Sequence, residues 1–322
     1  MQDCKYFFAR QLHMLEEKVS ARGRVLNLNK EGEMDVKTAI MTDTNSGITV
    51  KEGTAQGIYV LPMPVIVDEV SYMECVDITH KQLFQFLQED RDVSTSQPSP
   101  GDLLAMWDQI FADGYDEIVY LPMSSGLSSS CQTANQFAVE YEGKVQVVDN
   151  HRISVTLRSS VHDAKRLAQR GKSAKEIKEI LEEHAYEASI YITVNSLKYL
   201  KKSGRVTPAG AALADALNLK PVLTIQGEKL DAFAKVRGSK SSEKKMIEAL
   251  KQDLETRFKD YPKESIALWT AGTFADQAEA DAWLTKVKEA FPGYPVVYNP
   301  LSCNIACHVG VDAKGIGICE VL

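Results

Sequence analysis

From Lys37 to Gly171, short apolar runs rich in β-branched residues alternate with helical patterns, and this alternation narrows the possible folds more than any other property of the chain. "KTAIMTD" reads as a strand ending at Asp43, and "DEIVYLP" and "KVQVVDN" read as further buried strands. "GIYVLPMPVIVD" reads as one strand that Pro62 and Pro64 bend or confine to an edge. The helices between them have legible ends. Thr79 and Gln82 frame a capping box, and Ser99 and Asp102 frame another, with Pro100 at the first helical position and Gly114 past the last. The helix after "KVQVVDN" runs to about Arg170, with Gly171 as its stop. Such repetition predicts a parallel, three-layer α/β/α domain, in which ligands gather at the carboxyl ends of the strands.

The second half has another rhythm. After a helix around 174–187, "SIYITV" is a strand, and "NSLKYLKKSGRVTPAGAALADALN" reads as two short helices broken at Gly204 and Pro208. "KPVLTIQGEKLDAFAKVRG" is a hairpin turned at Gly227, followed by helix 240–258, strand 264–271, helix 276–290 and strands 295–300 and 315–321. A two-layer, mixed-sheet α/β domain is expected, its sheet covered on one face. The domains are thus set at 37–187 and 188–322. Residues 1–36 read as an extension, a short amphipathic helix through Phe8, Leu12, Leu15 and Val19 and then a linker.

The chain of 322 residues carries a net charge of −7, which argues against broad nucleic-acid binding because that would need a basic face. No apolar run reaches the length of a membrane span, and the first residues carry charges where a signal peptide has an apolar core, so a cytoplasmic protein without stable membrane insertion is expected. The six cysteines are scattered and read as reduced thiols. No P-loop or dinucleotide fingerprint is present, since "KGIGI" lacks the required spacing, and no cofactor is expected.

Two loops concentrate hydroxyls at helix entrances: "STSQPSPG" (94–101) and "SSGLSSS", with five serines in the seven positions Ser124 to Ser130. Ser128 or Ser129 can cap the helix that follows, but one cap needs one hydroxyl. Thr95, Ser96, Ser124 and Ser125 are surplus. Three uses compete: turn formation, a nucleophile, and an anion site in which hydroxyls join the free N–H groups of a helix start. "GLSSS" is not the G-x-S-x-G elbow, because Ser130 stands where the second glycine belongs. "CNIACH" (303–308) fails the haem-attachment spacing and has no second ligand pair for zinc, so Cys303 and Cys307 read as small buried residues in a loop.

"KTAIMTDTNSGIT", "TSQPSPGDLLAMW", "LPMSSGLSSSCQTA", "LKYLKKSGRV", "LNLKPVL", "KVRG" and "SCNIACHVGVDAKGIGI" follow one another in the order seen in the DegV family of bacterial fatty-acid-binding proteins, which the chain resembles over residues 37–322. The resemblance implies a non-catalytic, two-domain clamp that buries one long-chain fatty acid in a tunnel between the domains and presents its carboxylate to a separate fatty acid kinase. Carried across by motif, it implies a head-group site of Thr95, Ser128 with Ser125 beside it, Arg205 and His308, and a kinase-docking role for Arg237. The chain departs from the family pattern at "SGLSSS", at "KKSGR", and most around His308, where "ACHVGVD" has lost two glycines and a threonine. Two other readings stand beside this one: a serine-dependent acyl hydrolase using Ser125 or Ser128 with His308, and a lipid-sensing interaction module.

Overall fold

A computed structural model describes residues 36–214 and 219–322. The expected N-terminal helix and linker lie outside the described residues. The parallel sheet is built from β1 (Thr38–Asp43), β2 (Ile58–Leu61), β6 (Glu117–Leu121) and β7 (Val145–Val147), in the order β2-β1-β6-β7. The period of two sorts its side chains. Ile40, Val119 and Leu121 join a core with Leu157 and Val161 of α5 (Ser154–Gln169), while Tyr120 meets Trp107 of α3 (Pro100–Ala112) edge to face. Helices α3 and α4 (Ser130–Ala138) pack together on the sheet, and so do α5 and α6 (Ala174–Glu183), giving the three layers. The caps fall where the sequence places them: Thr79 and Gln82 close a full capping box on α2 (His80–Gln88), and Ser99 accepts the Asp102 N–H.

The "GIYVLPMPVIVD" run is two strands rather than one bent strand. The chain leaves the parallel sheet after Leu61 and re-enters as β3 (Pro64–Val67), the centre of a separate antiparallel sheet with β4 (Val70–Met73) and β5 (Val93–Thr95). Pro64 is tolerated because it opens its strand. The β3–β4 hairpin turns on Asp68 and Glu69, both with positive φ, without the glycine that usually marks such a turn. Helix α1 (Val50–Gln56) precedes β2 and packs against it.

The larger, mixed sheet runs β10-β9-β8-β13-β11-β12, comprising β8 (Ala188–Thr193), β9 (Leu219–Ile225), β10 (Asp231–Arg237), β11 (Ile266–Gly272), β12 (Val296–Pro300) and β13 (Lys314–Glu320). Its neighbours are antiparallel except β11 and β12. Helices α9 (Ser239–Glu255) and α10 (Gln277–Ala290) cover one face through Met246, Leu250, Trp283 and Val287. The other face carries Ile190, Ile192, Leu223 and Ile225 into the core that contains α5, so the two sheets share one hydrophobic interior. Helices α7 (Lys198–Ser203) and α8 (Pro208–Ala211) lie between β8 and β9, with Gly204 left-handed at the end of α7 as its role as breaker requires. Among the described residues, no helix is long and apolar enough to cross a membrane.

Candidate functional site

The "CNIACH" segment is a helix, α11 (Cys303–Val309), not a loop. Ser302 caps it and the left-handed Gly310 ends it, so glycine is kept at the position where the backbone needs it. Its sides are distinct. Cys303, Ala306 and Cys307 pack into a core with Leu83 and Phe84 of α2, whereas Asn304, Ile305, His308 and Val309 line a cavity. The cysteines thus fill space, and burial pushes both thiols well above the usual range, Cys307 to about 12.

That cavity lies in the shared interior. Its walls come from the mixed sheet, through Ile190 and Ile192 of β8, Ile225 of β9, Ala271 of β11 and Ile316 of β13, from Val155 of α5, and from Met63 and Met123, which follow the parallel strands β2 and β6. Four of the five expected head-group residues line it: Thr95, Ser128, Arg205 and His308. All four are half-buried, whereas Ile190, Ile192 and Ile225 are buried. The Thr95 hydroxyl meets His308 Nε2 at 2.9 Å. Arg205 donates through Nε to the Leu127 carbonyl and through its Nη1 to the Ser203 carbonyl, and it forms no ion pair among the described residues. Burial first, and the Arg205 charge second, push the His308 pKa down to about 4, so the imidazole is neutral at pH 7. Its Nδ1 is buried without a hydrogen-bond partner among the described residues.

Local chemistry explains why these four converge. Lys202 of α7 pairs with Asp92 and also donates to the Val93 carbonyl, holding α7 beside the strand that ends at Thr95. Arg205 follows directly after Gly204. Glu74 is buried and accepts from Thr44 Oγ1 and from the N–H groups of Cys303 and Asn304, so it anchors the start of the helix whose other end bears His308. Asp43, also buried, accepts the N–H groups of Asn45 and Met123 and holds the serine loop against β1. Burial raises both carboxyls, Asp43 to about 6 and Glu74 to about 7.

The surplus hydroxyls divide. Ser128 lines the cavity and accepts the Ser130 N–H, serving both site and helix entrance. Ser124 instead donates to the Gly227 carbonyl, docking the serine loop on the β9–β10 turn. Ser125 is exposed and does not line the cavity; its N–H donates to Asp149. Arg237, at the end of the edge strand β10, is exposed and apart from the cavity. Ser96, counted among the surplus hydroxyls, also lines the cavity, whereas sequence reasoning missed Gln97, Ser154 and Asn304; Gln97 sits two positions from Thr95 in the flagged loop, but nothing in the sequence marks Ser154.

With this geometry in hand, comparison with known proteins is direct. A profile of the DegV family, described as uncharacterised, matches residues 37–321. The chain belongs to the DegV family. A DegV domain-containing protein of Deinococcus radiodurans is 29% identical over 282 residues, covering 87% of this chain and 97% of that one. One from Staphylococcus aureus strain N315 is 28% identical over 281 residues, with 87% and 98% covered. The structure of a Thermus thermophilus DegV family protein, described for its fatty acid binding, superposes with a TM-score of 0.78 at 27% identity, covering 89% of this chain and all of that one. A stearic acid-binding protein of Eubacterium ventriosum shares the fold at a TM-score of 0.79 and 20% identity, over 88% of this chain and 98% of that one. The DegV fold, a parallel-sheet part joined to a mixed-sheet part, is therefore the fold of this chain.

Proposed function

We propose that the cavity binds one long-chain fatty acid, tail inward, between a parallel-sheet domain (37–187) and a mixed-sheet domain (188–322). The observation that carries this reading is the lining of one cavity, in which half-buried Thr95, Ser128, Arg205 and His308 stand together with many buried aliphatic side chains. Burying about fourteen methylenes is worth on the order of 10 kcal/mol before the costs of association. A carboxylate cannot follow the tail unpaired, and Arg205 with the hydroxyls of Thr95 and Ser128 offers it a cation and donors. The relatives described as fatty-acid-binding support the same ligand class.

In this reading the protein is a carrier without catalytic activity, and the accessible carboxylate is offered to a partner fatty acid kinase, with Arg237 on the docking surface. The arrangement favours a carrier over a hydrolase: His308 engages Thr95 rather than a serine, and Ser128 accepts a helix N–H. Native mass spectrometry of protein purified from bacteria should show one fatty acid per chain, recoverable by solvent extraction. Delipidated protein that binds neither palmitate nor oleate would refute the reading, and nitrophenyl ester turnover abolished by Ser128→Ala would favour the hydrolase.

A further inference from the structure

Three metal-ligating side chains meet on the far side of α11 from the cavity. A carboxylate oxygen of Glu74, a ring nitrogen of His80 and the Cys303 sulfur all lie within 4.8 Å of one another. Glu74 follows β4, His80 opens α2 and Cys303 opens α11. The ligand pair that "CNIACH" lacks nearby in the sequence is thus supplied by a distant segment. Glu74 and Cys303 are buried, at 2% and 1% exposure, and His80 is half-buried, which leaves a side for entry. Cys75 and Cys307 stand outside the group. Glu74 forms no ion pair among the described residues, and a buried carboxylate without a cation is costly. A carboxylate has about four acceptor sites. Thr44 Oγ1 and the N–H groups of Cys303 and Asn304 take three of them, and the Cys303 thiol bonds to the same carboxylate.

The surroundings already hold these groups as an outer shell holds metal ligands. His80 Nε2 meets the Leu301 carbonyl at 2.7 Å. A carbonyl only accepts, so Nε2 carries the proton and Nδ1 keeps its lone pair, the arrangement common to metal-bound histidines. A mixed oxygen, nitrogen and sulfur set suits zinc, which sits about 2.0–2.3 Å from each donor, so side-chain rotation brings donors at this spacing onto one ion. One carboxylate and one thiolate also neutralise a divalent ion, as a buried place requires. We propose that Glu74, His80 and Cys303 form a site for one zinc-type divalent ion, which ties the start of α2 to the start of α11. On binding, the Cys303 S–H bond breaks, the sulfur bonds to the ion and the proton leaves to solvent, with no change of oxidation state. The fourth position is left to water. This inference is independent of the fatty-acid reading.

The test is a titration of the full chain, stripped with a chelator and kept reduced without added thiols, with Co²⁺ and then Zn²⁺. Wild type should take up one Co²⁺ per chain, with a thiolate-to-cobalt charge-transfer band in the near ultraviolet, and Zn²⁺ should displace it. Cys303→Ala should abolish the band, whereas Cys75→Ala and Cys307→Ala should keep it. His80→Ala should weaken Zn²⁺ binding by at least about a hundredfold, since losing a ligand costs more than losing an outer-shell partner. Zn²⁺ should also raise the melting temperature of wild type but not of His80→Ala, which separates a site of the folded state from thiols exposed on unfolding. If Cys303→Ala does not fold, His80→Ala, at a half-buried position, decides the matter. Failure of wild type to bind either ion overturns the inference and leaves the Cys303 thiol as a hydrogen-bond donor to Glu74 alone. A band that survives Cys303→Ala, or a Zn²⁺ affinity that survives His80→Ala, overturns it as well. None of these results bears on fatty-acid binding, which is measured separately.

Discussion

His308 shows how much a single side chain depends on its surroundings. Free histidine titrates near neutrality, but here burial and Arg205 hold the ring neutral down to about pH 4. In the unfolded chain the ring takes up a proton near pH 6.5, so the unfolded state binds more protons between about pH 6.5 and 4, and this residue's contribution to stability falls with acid across that window. Ligand affinity, in contrast, should show no histidine step between pH 5.5 and 8. His308→Ala strands the Thr95 hydroxyl, which typically costs about 1–3 kcal/mol. Most binding energy lies in the tail, so displacement of a fluorescent fatty acid should show an affinity loss of about tenfold rather than abolition. An unchanged affinity would remove His308 from the site.

At the scale of elements, α11 is the joint between site and scaffold. Its cysteine side is fixed in the α2 core, its first N–H groups are held by Glu74, and its last turn delivers His308. Glu74 is raised to about 7, chiefly by burial, so the folded state binds more protons than the unfolded state between about pH 4 and 7. Its contribution is therefore fully present below the unfolded pKa and is lost as pH rises through 7. This slope opposes that of His308, and a substitution separates the two. Glu74→Gln should be less stable than wild type, and the stability gap in urea unfolding should widen by about 1–3 kcal/mol from pH 8 to pH 5. A gap that stays constant, or narrows in acid, would show that Glu74 is not raised.

At the scale of the whole molecule, the cavity takes its walls from the mixed sheet, from helices and from segments that follow the parallel strands. A ligand that binds only the folded state stabilises it by mass action, about 2.7 kcal/mol at a hundredfold excess over Kd, so palmitate or oleate should raise the melting temperature of delipidated protein. Arg237 tests the separation of binding from presentation. It lies at the end of an edge strand, exposed and away from the cavity. Arg237→Ala should leave fatty-acid affinity within about twofold of wild type and slow phosphorylation of the bound acyl group by a cognate kinase, as expected for a rim charge that steers encounter. Equal losses in both assays would place Arg237 in the binding site instead.

Local physics was legible in the amino-acid order. Strand and helix alternation, the caps at Thr79 and Ser99, and the stops at Gly114, Gly171 and Gly204 depend on neighbours within a few positions, and each appears where the sequence places it. Family motifs added Thr95, Ser128, Arg205 and His308 as one group, which spacing alone could not bring together. What only the tertiary structure decided depends on long-range packing. The two prolines of "GIYVLPMPVIVD" separate strands of different sheets, because the edge of the parallel sheet ends where the β3 hairpin finds its own partner in β5. Of five clustered serines, Ser124 was drawn to Gly227, Ser125 to solvent and Ser128 to the cavity, since that choice depends on a hairpin about a hundred residues away. Ser154 had no motif at all; its left-handed backbone and its place in the cavity lining depend on packing among elements far apart in the chain.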